Sequence, residues 1–96
     1  MAPEVFSNST ATTAADVYSF GIIAFEVFAL KSPYPDGQFR SHDDLKRSVI
    51  GGTRPVFPSN LSGGRKEALA TSCWQLKPDR RPTIEQAIPK LESLVS

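Results

Sequence analysis

The fold of this chain is decided by the stretch Val17-Tyr18-Ser19-Phe20-Gly21-Ile22-Ile23-Ala24-Phe25-Glu26-Val27-Phe28-Ala29-Leu30, its longest apolar run. Only Ser19, Gly21 and Glu26 interrupt the run. At 3.6 residues per turn the apolar side chains cover the whole circumference of a helix, and such a helix must be buried all round. A helix that spans a bilayer needs about 20 apolar residues, so this one is too short. The pattern predicts a central buried helix over residues 13–30.

Three further helices are predicted around the central one, over residues 43–50, 66–75 and 84–95, with a short helix over residues 3–6. Ser41 with Asp44, and Thr83 with Gln86, have the spacing of helix-starting capping motifs. We expect no strands. The whole chain, residues 1–96, is therefore interpreted as one mainly α domain.

The last predicted helix contains a proline in its interior. Pro89 has no N–H to donate to the carbonyl of Glu85, which costs about 3 kcal/mol relative to alanine. We therefore expect a kink or an early break in this helix at Pro89.

Composition narrows the possible functions. The 96 residues are 40% hydrophobic and 22% charged, with a net charge of +1, which favours neither a nucleic-acid nor a membrane partner. The only histidine is His42 and the only cysteine is Cys73, so neither a zinc site nor a Cys-His nucleophile is indicated. One cysteine and no secretion leader predict an intracellular, cytoplasmic location, with membrane attachment of a longer parent left open.

Three short motifs carry a family resemblance: Met1-Ala2-Pro3-Glu4, Asp16-Val17-Tyr18-Ser19-Phe20-Gly21 and Cys73-Trp74-Gln75-Leu76-Lys77-Pro78-Asp79-Arg80-Arg81-Pro82-Thr83. Their order and separations closely resemble the C-terminal portion of the C-lobe of a eukaryotic protein kinase domain, from Ala-Pro-Glu to the last helix. The resemblance covers essentially the whole chain. Tyr18, Cys73-Trp74 and the Gly52-x-Arg54-Pro55 motif resemble the tyrosine kinases and the tyrosine-kinase-like serine/threonine kinases. Tyrosine rather than tryptophan at position 18 favours the second group.

The resemblance implies roles for four charged residues. Glu4 and Arg81 match two residues that form a buried ion pair in kinases, which ties the activation segment to the C-terminal helices. Asp16 matches an aspartate that supports the catalytic loop in a complete kinase, although by itself it is simply an acidic residue in a first helical turn. Glu26 matches a position that contacts basic substrate side chains in some members. An internal structural hydrogen bond among its apolar neighbours is the alternative for Glu26.

The resemblance also implies an activity for a parent protein: transfer of the γ-phosphate of ATP, with Mg²⁺, to serine, threonine or, alternatively, tyrosine in proteins. In kinases the Gly-rich loop, the phosphate-pairing lysine, His-Arg-Asp and Asp-Phe-Gly precede Ala-Pro-Glu, and none is in these 96 residues. We expect the chain alone to bind no cofactor and to be inactive. Its expected partners are a protein substrate or the remainder of a kinase domain. The alternative is a non-catalytic helical interaction module, with aggregation or partner binding through exposed apolar surface.

Overall fold

The computed structural model describes residues 2–4, 13–35 and 37–95, without the side chain of Val95. Within residues 13–35 and 37–95 four helices follow one another: α1 (Thr13–Ala29), α2 (His42–Ile50), α3 (Arg65–Cys73) and α4 (Ile84–Val95). A short 3₁₀ turn, Pro78–Arg80, precedes α4. These described ranges contain no strand, so the domain is mainly α. Pro3 and Glu4 are helical, and the rest of the short helix predicted over residues 3–6 lies outside the described residues.

The helix ends are set by local hydrogen bonds. The Ser41 hydroxyl accepts from the Asp44 N–H at 3.1 Å, which starts α2 one residue earlier than predicted. Helix α1 stops at Ala29 because Leu30 adopts a left-handed φ of 57°. Helix α3 ends at Cys73 rather than at residue 75, since Trp74 already has a non-helical C-cap conformation. Helix α4 begins at the predicted residue.

A reciprocal capping box starts α4. The Thr83 hydroxyl accepts from the Gln86 N–H at 3.2 Å, and the Gln86 side chain accepts from the Thr83 N–H at 2.9 Å. Two N–H groups that the helix itself leaves without a partner are satisfied in this way.

The early break that was one of the two expectations for Pro89 does not occur, because α4 continues through this residue to Val95. Pro89 and Glu85 are both on the exposed side of the helix. Water can therefore reach the Glu85 carbonyl, whose usual N–H partner is missing. The backbone on either side keeps its helical hydrogen bonds, so a solvated proline is accommodated without ending the helix.

The core forms where α1 crosses α3. Phe25 of α1 packs edge-to-face on Phe57, with ring centroids 4.8 Å apart, and Trp74 lies 6.0 Å from Phe57 and 6.2 Å from Phe25. A second cluster joins α1, α3 and α4 through Val17, Leu69, Cys73 and Ala87. Each of these four side chains is at most 5% exposed. Helix α1 therefore provides the surface on which the other elements assemble.

Helix α1 is buried on one side only, which differs from the all-round burial that its composition predicts. Ile23 is 58% exposed, Val27 55% and Leu30 88%, while Phe20 is half-buried. Phe20, Ile23 and Val27 follow one another at spacings of three and four, so they form one face of the helix; we call these three residues the apolar stripe of α1. The described elements are too few to surround the helix. No helix in the described part of the chain is long and apolar enough to cross a membrane.

Candidate functional site

Arg81 is the centre of the best-defined polar site, and its side chain is fully buried. It lies at the end of the 3₁₀ turn, where its backbone N–H donates to the Pro78 carbonyl. Its Nη1 lies 2.7 Å from Oε2 of Glu4 and its Nη2 lies 2.9 Å from Oε1. The structure thus brings together two residues that are 77 positions apart in the chain. The planar guanidinium meets the carboxylate at two points, a geometry that the ammonium of lysine cannot reproduce.

The remaining donors of Arg81 bind backbone carbonyls. Its Nε donates to Gln75 at 2.8 Å, Nη1 to Ala14 at 2.9 Å and Nη2 to Leu76 at 3.3 Å. These acceptors belong to the start of α1 and to the loop after α3. A single side chain therefore connects the N-terminal segment, α1 and the loop that leads into the 3₁₀ turn.

Arg54 is a second anchor, half-buried, whose motif in the sequence pointed only to the branch of the family. Its Nε donates to the Trp74 carbonyl at 2.9 Å, and its Nη1 donates to Val49 at 2.9 Å and Thr53 at 2.7 Å. The available signal was the Gly52-x-Arg54-Pro55 motif. Its arginine holds the end of α2 against the end of α3.

Tyr18 lies between these anchors in the fold. The guanidinium carbons of Arg54 and Arg81 are 5.1 and 5.0 Å from the centroid of its ring. Both distances fall within the range of cation–π attraction. Glu4, Tyr18, Arg54 and Arg81 together form what we call the arginine cluster. Tyr18 was assigned no such role from the sequence.

Burial and charge shift three pKa values in this region. The hydrogen bond from Arg81 lowers the pKa of Glu4, against the opposing effect of desolvation. Burial raises the pKa of the Tyr18 phenol far above its usual range. Burial also raises the pKa of the Cys73 thiol, so Cys73 stays a neutral core residue rather than a reactive thiolate. The cluster is built to hold segments together, not to exchange protons near neutral pH.

The lowered pKa of Glu4 predicts an acid-sensitive contribution to stability. Because the folded-state pKa lies below the unfolded value, the contribution is complete above the unfolded pKa and is lost as the pH falls through the folded pKa. We expect Glu4→Gln to cost stability at about pH 7 and much less at about pH 3. Urea unfolding across this range measures the difference. Glu92→Gln, which changes an exposed carboxylate, is the control; parallel pH profiles for wild type and Glu4→Gln would contradict the prediction.

The other two acidic residues singled out in the sequence do not join the arginine cluster. Asp16 is exposed in the first turn of α1, two residues after the Ala14 carbonyl that Arg81 binds. Glu26 is exposed on α1. Its backbone carbonyl accepts from the Leu30 N–H at 2.9 Å, and no hydrogen bond to its side chain is found among the described residues. The same part of the chain has no group of three or more acidic, histidine or cysteine side chains arranged to hold a metal ion.

Comparison with known proteins supports the family resemblance of the sequence motifs that contain Glu4, Tyr18 and Arg81. The family model described as protein tyrosine and serine/threonine kinase matches residues 1–91. The RGS domain-containing serine/threonine-protein kinase A of Dictyostelium discoideum is 36% identical over 95 residues, which cover 99% of this chain and 8% of the relative. The dual specificity protein kinase splA of the same organism is 36% identical over 94 residues, or 98% of this chain and 4% of the relative.

A human relative, mitogen-activated protein kinase kinase kinase 7, is 36% identical over 98 residues, covering 99% of this chain and 15% of its own length. The chain thus spans only a small part of the curated relatives that it matches. The match includes both the Ala-Pro-Glu segment and the arginine that binds it. The chain belongs to the protein tyrosine and serine/threonine kinase family.

Proposed function

We propose that this chain is the helical scaffold of a kinase C-lobe, in a protein that transfers the γ-phosphate of ATP to serine or threonine of protein substrates. Tyrosine is the alternative acceptor. The observation that carries the proposal is the two-point Glu4–Arg81 pair, which joins the Ala-Pro-Glu segment to the helices that follow. Relatives named as serine/threonine and dual specificity kinases support the choice of acceptor.

In this proposal the chemistry is divided between two parts of a kinase domain. ATP and Mg²⁺ are held by segments that precede Ala-Pro-Glu in kinases. The described residues here offer no set of carboxylates that fits such a metal. The arginine cluster instead fixes the end of the activation segment, and phosphoryl transfer depends strongly on such positioning. We propose that the chain alone is inactive.

The exposed face of α1 supports this division. Asp16 precedes the apolar stripe by one turn and lies on the same face of the helix. In a complete domain, other kinase segments would cover the stripe, and the Asp16 carboxylate would accept hydrogen bonds from the catalytic-loop backbone. Glu26, which is also exposed, would be free to meet a basic substrate side chain.

A chimeric kinase domain tests the proposal. The domain of a serine/threonine kinase relative is cut before its Ala-Pro-Glu segment, and this chain replaces everything after that point. We expect the chimera to transfer labelled phosphate from ATP to a protein substrate, whereas the chain alone transfers none. Phosphoamino-acid analysis of the product then identifies the acceptor side chain.

Two comparisons make the chimera decisive. Changing the catalytic-loop aspartate of the donor to asparagine should abolish labelling, because that residue accepts the substrate proton. Circular dichroism establishes that each chimera is folded. A folded chimera without activity, or phosphate transfer by the chain alone, would refute the proposed division.

The second candidate function is a helical interaction module, and the apolar stripe is the observation that favours it. Exposed contiguous apolar surface usually marks an interface or an aggregation liability. We expect the isolated chain to self-associate at micromolar concentration, and Ile23→Lys with Val27→Lys to make it monomeric. Sedimentation velocity measures the change. The matched control is Val56→Lys with Leu76→Lys, which adds the same charge at exposed apolar positions outside the stripe.

The outcome separates the two functions. A wild-type chain that is monomeric and melts in one sharp transition would contradict the expected self-association and favour an independently folded module. Association through the stripe, with a broad melt, would favour a scaffold that lacks its natural cover.

A further inference from the structure

A groove of about 500 Å³ lies between α3 and α4. Leu69 and Ala68 of α3 and Pro89 and Leu94 of α4 provide its apolar lining, and Arg65 and Lys90 provide its charged groups. Ala68, Pro89 and Lys90 are exposed, so solvent reaches the groove along its length. It is separate from both the arginine cluster and the apolar stripe of α1.

The two cations lie towards opposite ends of the groove. Lys90 is near enough to Cys73, the last residue of α3, to influence its thiol electrostatically. Arg65 is the first residue of α3, and with Leu94 it also borders a neighbouring depression. From Arg65 to Ser72, which lines the far end, α3 rises by about 10 Å. The apolar lining thus occupies the interval between two positive charges.

The groove carries positive charge without a negative counterpart. No acidic residue lines it, and no ion pair to Arg65 or Lys90 is formed by the residues that the structure describes. The nearby Glu67 is occupied, since its side chain accepts from the Gly63 N–H at 2.8 Å. Lys66 adds a third cation to the neighbouring depression, so the field over this surface favours an anionic partner.

We propose that the groove between α3 and α4 docks an acidic amphipathic helix of a partner protein. Two carboxylates separated by two helical turns would lie about 10 Å apart, which matches the rise of α3 between Arg65 and Ser72, the first and last residues of α3 that line the groove. Apolar side chains between these carboxylates would then fall on Ala68, Pro89 and Leu94. Helix-in-groove binding uses this arrangement of anchors along one face. This inference does not depend on phosphoryl transfer by a parent kinase.

The two separated cations favour a peptide over a long-chain carboxylate. A fatty acid has one anionic group, so it could satisfy Arg65 or Lys90 but not both. Its alkyl chain would also remain open to water beside the exposed Ala68 and Pro89. A helix supplies anionic groups at both ends and covers the apolar lining between them.

A labelled peptide tests the docking surface. The probe is a cross-linked helical peptide with two leucines on one face and a glutamate on each side of them, two turns apart. The chain is immobilised at low density so that self-association does not compete, and binding is followed by interferometry. We expect the double variant Arg65→Glu/Lys90→Glu to weaken binding at least about tenfold, and raised salt to weaken wild-type binding. Lys77→Glu, at an exposed lysine outside the groove, should change it less than about twofold.

A charge swap makes the test specific. A peptide with lysines in place of the glutamates should bind the double variant better than the wild type. Equal binding of both peptides to the wild type, or no saturable binding, would overturn the proposal. A competition experiment gives a further outcome that would overturn it. If a long-chain carboxylate displaces the probe at a lower concentration than the unlabelled glutamate peptide does, the groove is a lipid site.

Discussion

Replacing Arg81 by alanine is expected to lower the free energy of unfolding by about 3–5 kcal/mol, the range for removing one partner of a buried ion pair. The substitution leaves the Glu4 carboxylate without its partner and removes the donors to the carbonyls of Ala14, Gln75 and Leu76. A domain has only about 5–15 kcal/mol of stability in total. The substitution is therefore expected to remove a large fraction of the stability of the domain.

Two further substitutions identify the cause of this loss. Arg81→Lys keeps the charge but cannot meet the carboxylate at two points, so its loss should be intermediate. Arg80→Ala removes the neighbouring, exposed arginine and should change stability by less than about 0.5 kcal/mol. Urea denaturation followed by circular dichroism measures all three. Equal effects at positions 80 and 81 would show that the buried network does not stabilise the fold.

Adding one methyl group at Gly21 should destabilise the packing of α1 on α3. A Cβ at this position would lie 2.7 Å from the Cβ of Cys73 and 3.0 Å from the Ala70 carbonyl oxygen. Neither neighbour can rotate away, since one is bound to the backbone and the other is part of it. Overpacking of this kind costs about 1–3 kcal/mol, which exceeds the gain of about 0.5–1 kcal/mol from alanine in a helix. We expect Gly21→Ala to lower the melting temperature.

The control for this prediction is Gly51→Ala. Gly51 has a φ of −76°, and an added Cβ would meet only carbonyl oxygens at 3.4 and 3.5 Å. Its backbone conformation suits alanine, so this variant should be neutral or slightly more stable. Melting curves of the two variants distinguish a steric clash between α1 and α3 from the general effect of replacing glycine by alanine. A Gly21→Ala protein as stable as the wild type would show that the two helices can separate without cost.

The burial of α1 shows where sequence reasoning was incomplete. Its composition predicts burial on all sides, yet Ile23 and Val27 remain exposed. The composition of a helix indicates which side chains would be stabilised by burial, whereas their actual burial depends on the elements that pack against the helix. The same distinction applies to Glu26, whose apolar neighbours in sequence do not enclose it in space.

Arg54 shows a different limitation. Its sequence motif was visible, but its three carbonyl acceptors belong to Val49, Thr53 and Trp74, and Trp74 is 20 positions away. An arginine has five donors, and nothing in the sequence specifies which backbone oxygens they will reach. Only the crossing of the surrounding elements brings Trp74 within reach.

The sequence by itself determined the helical class, the capping boxes and the family, because these depend on side-chain periodicity and on groups three or four residues apart. The tertiary structure decided the exposed stripe of α1, the groove between α3 and α4, and the path of α4 through Pro89. It also supplied the geometry of the Glu4–Arg81 pair, across 77 positions. Local hydrogen bonds form within one turn and so follow from spacing. Burial, and contacts between distant residues, exist only after the helices have packed.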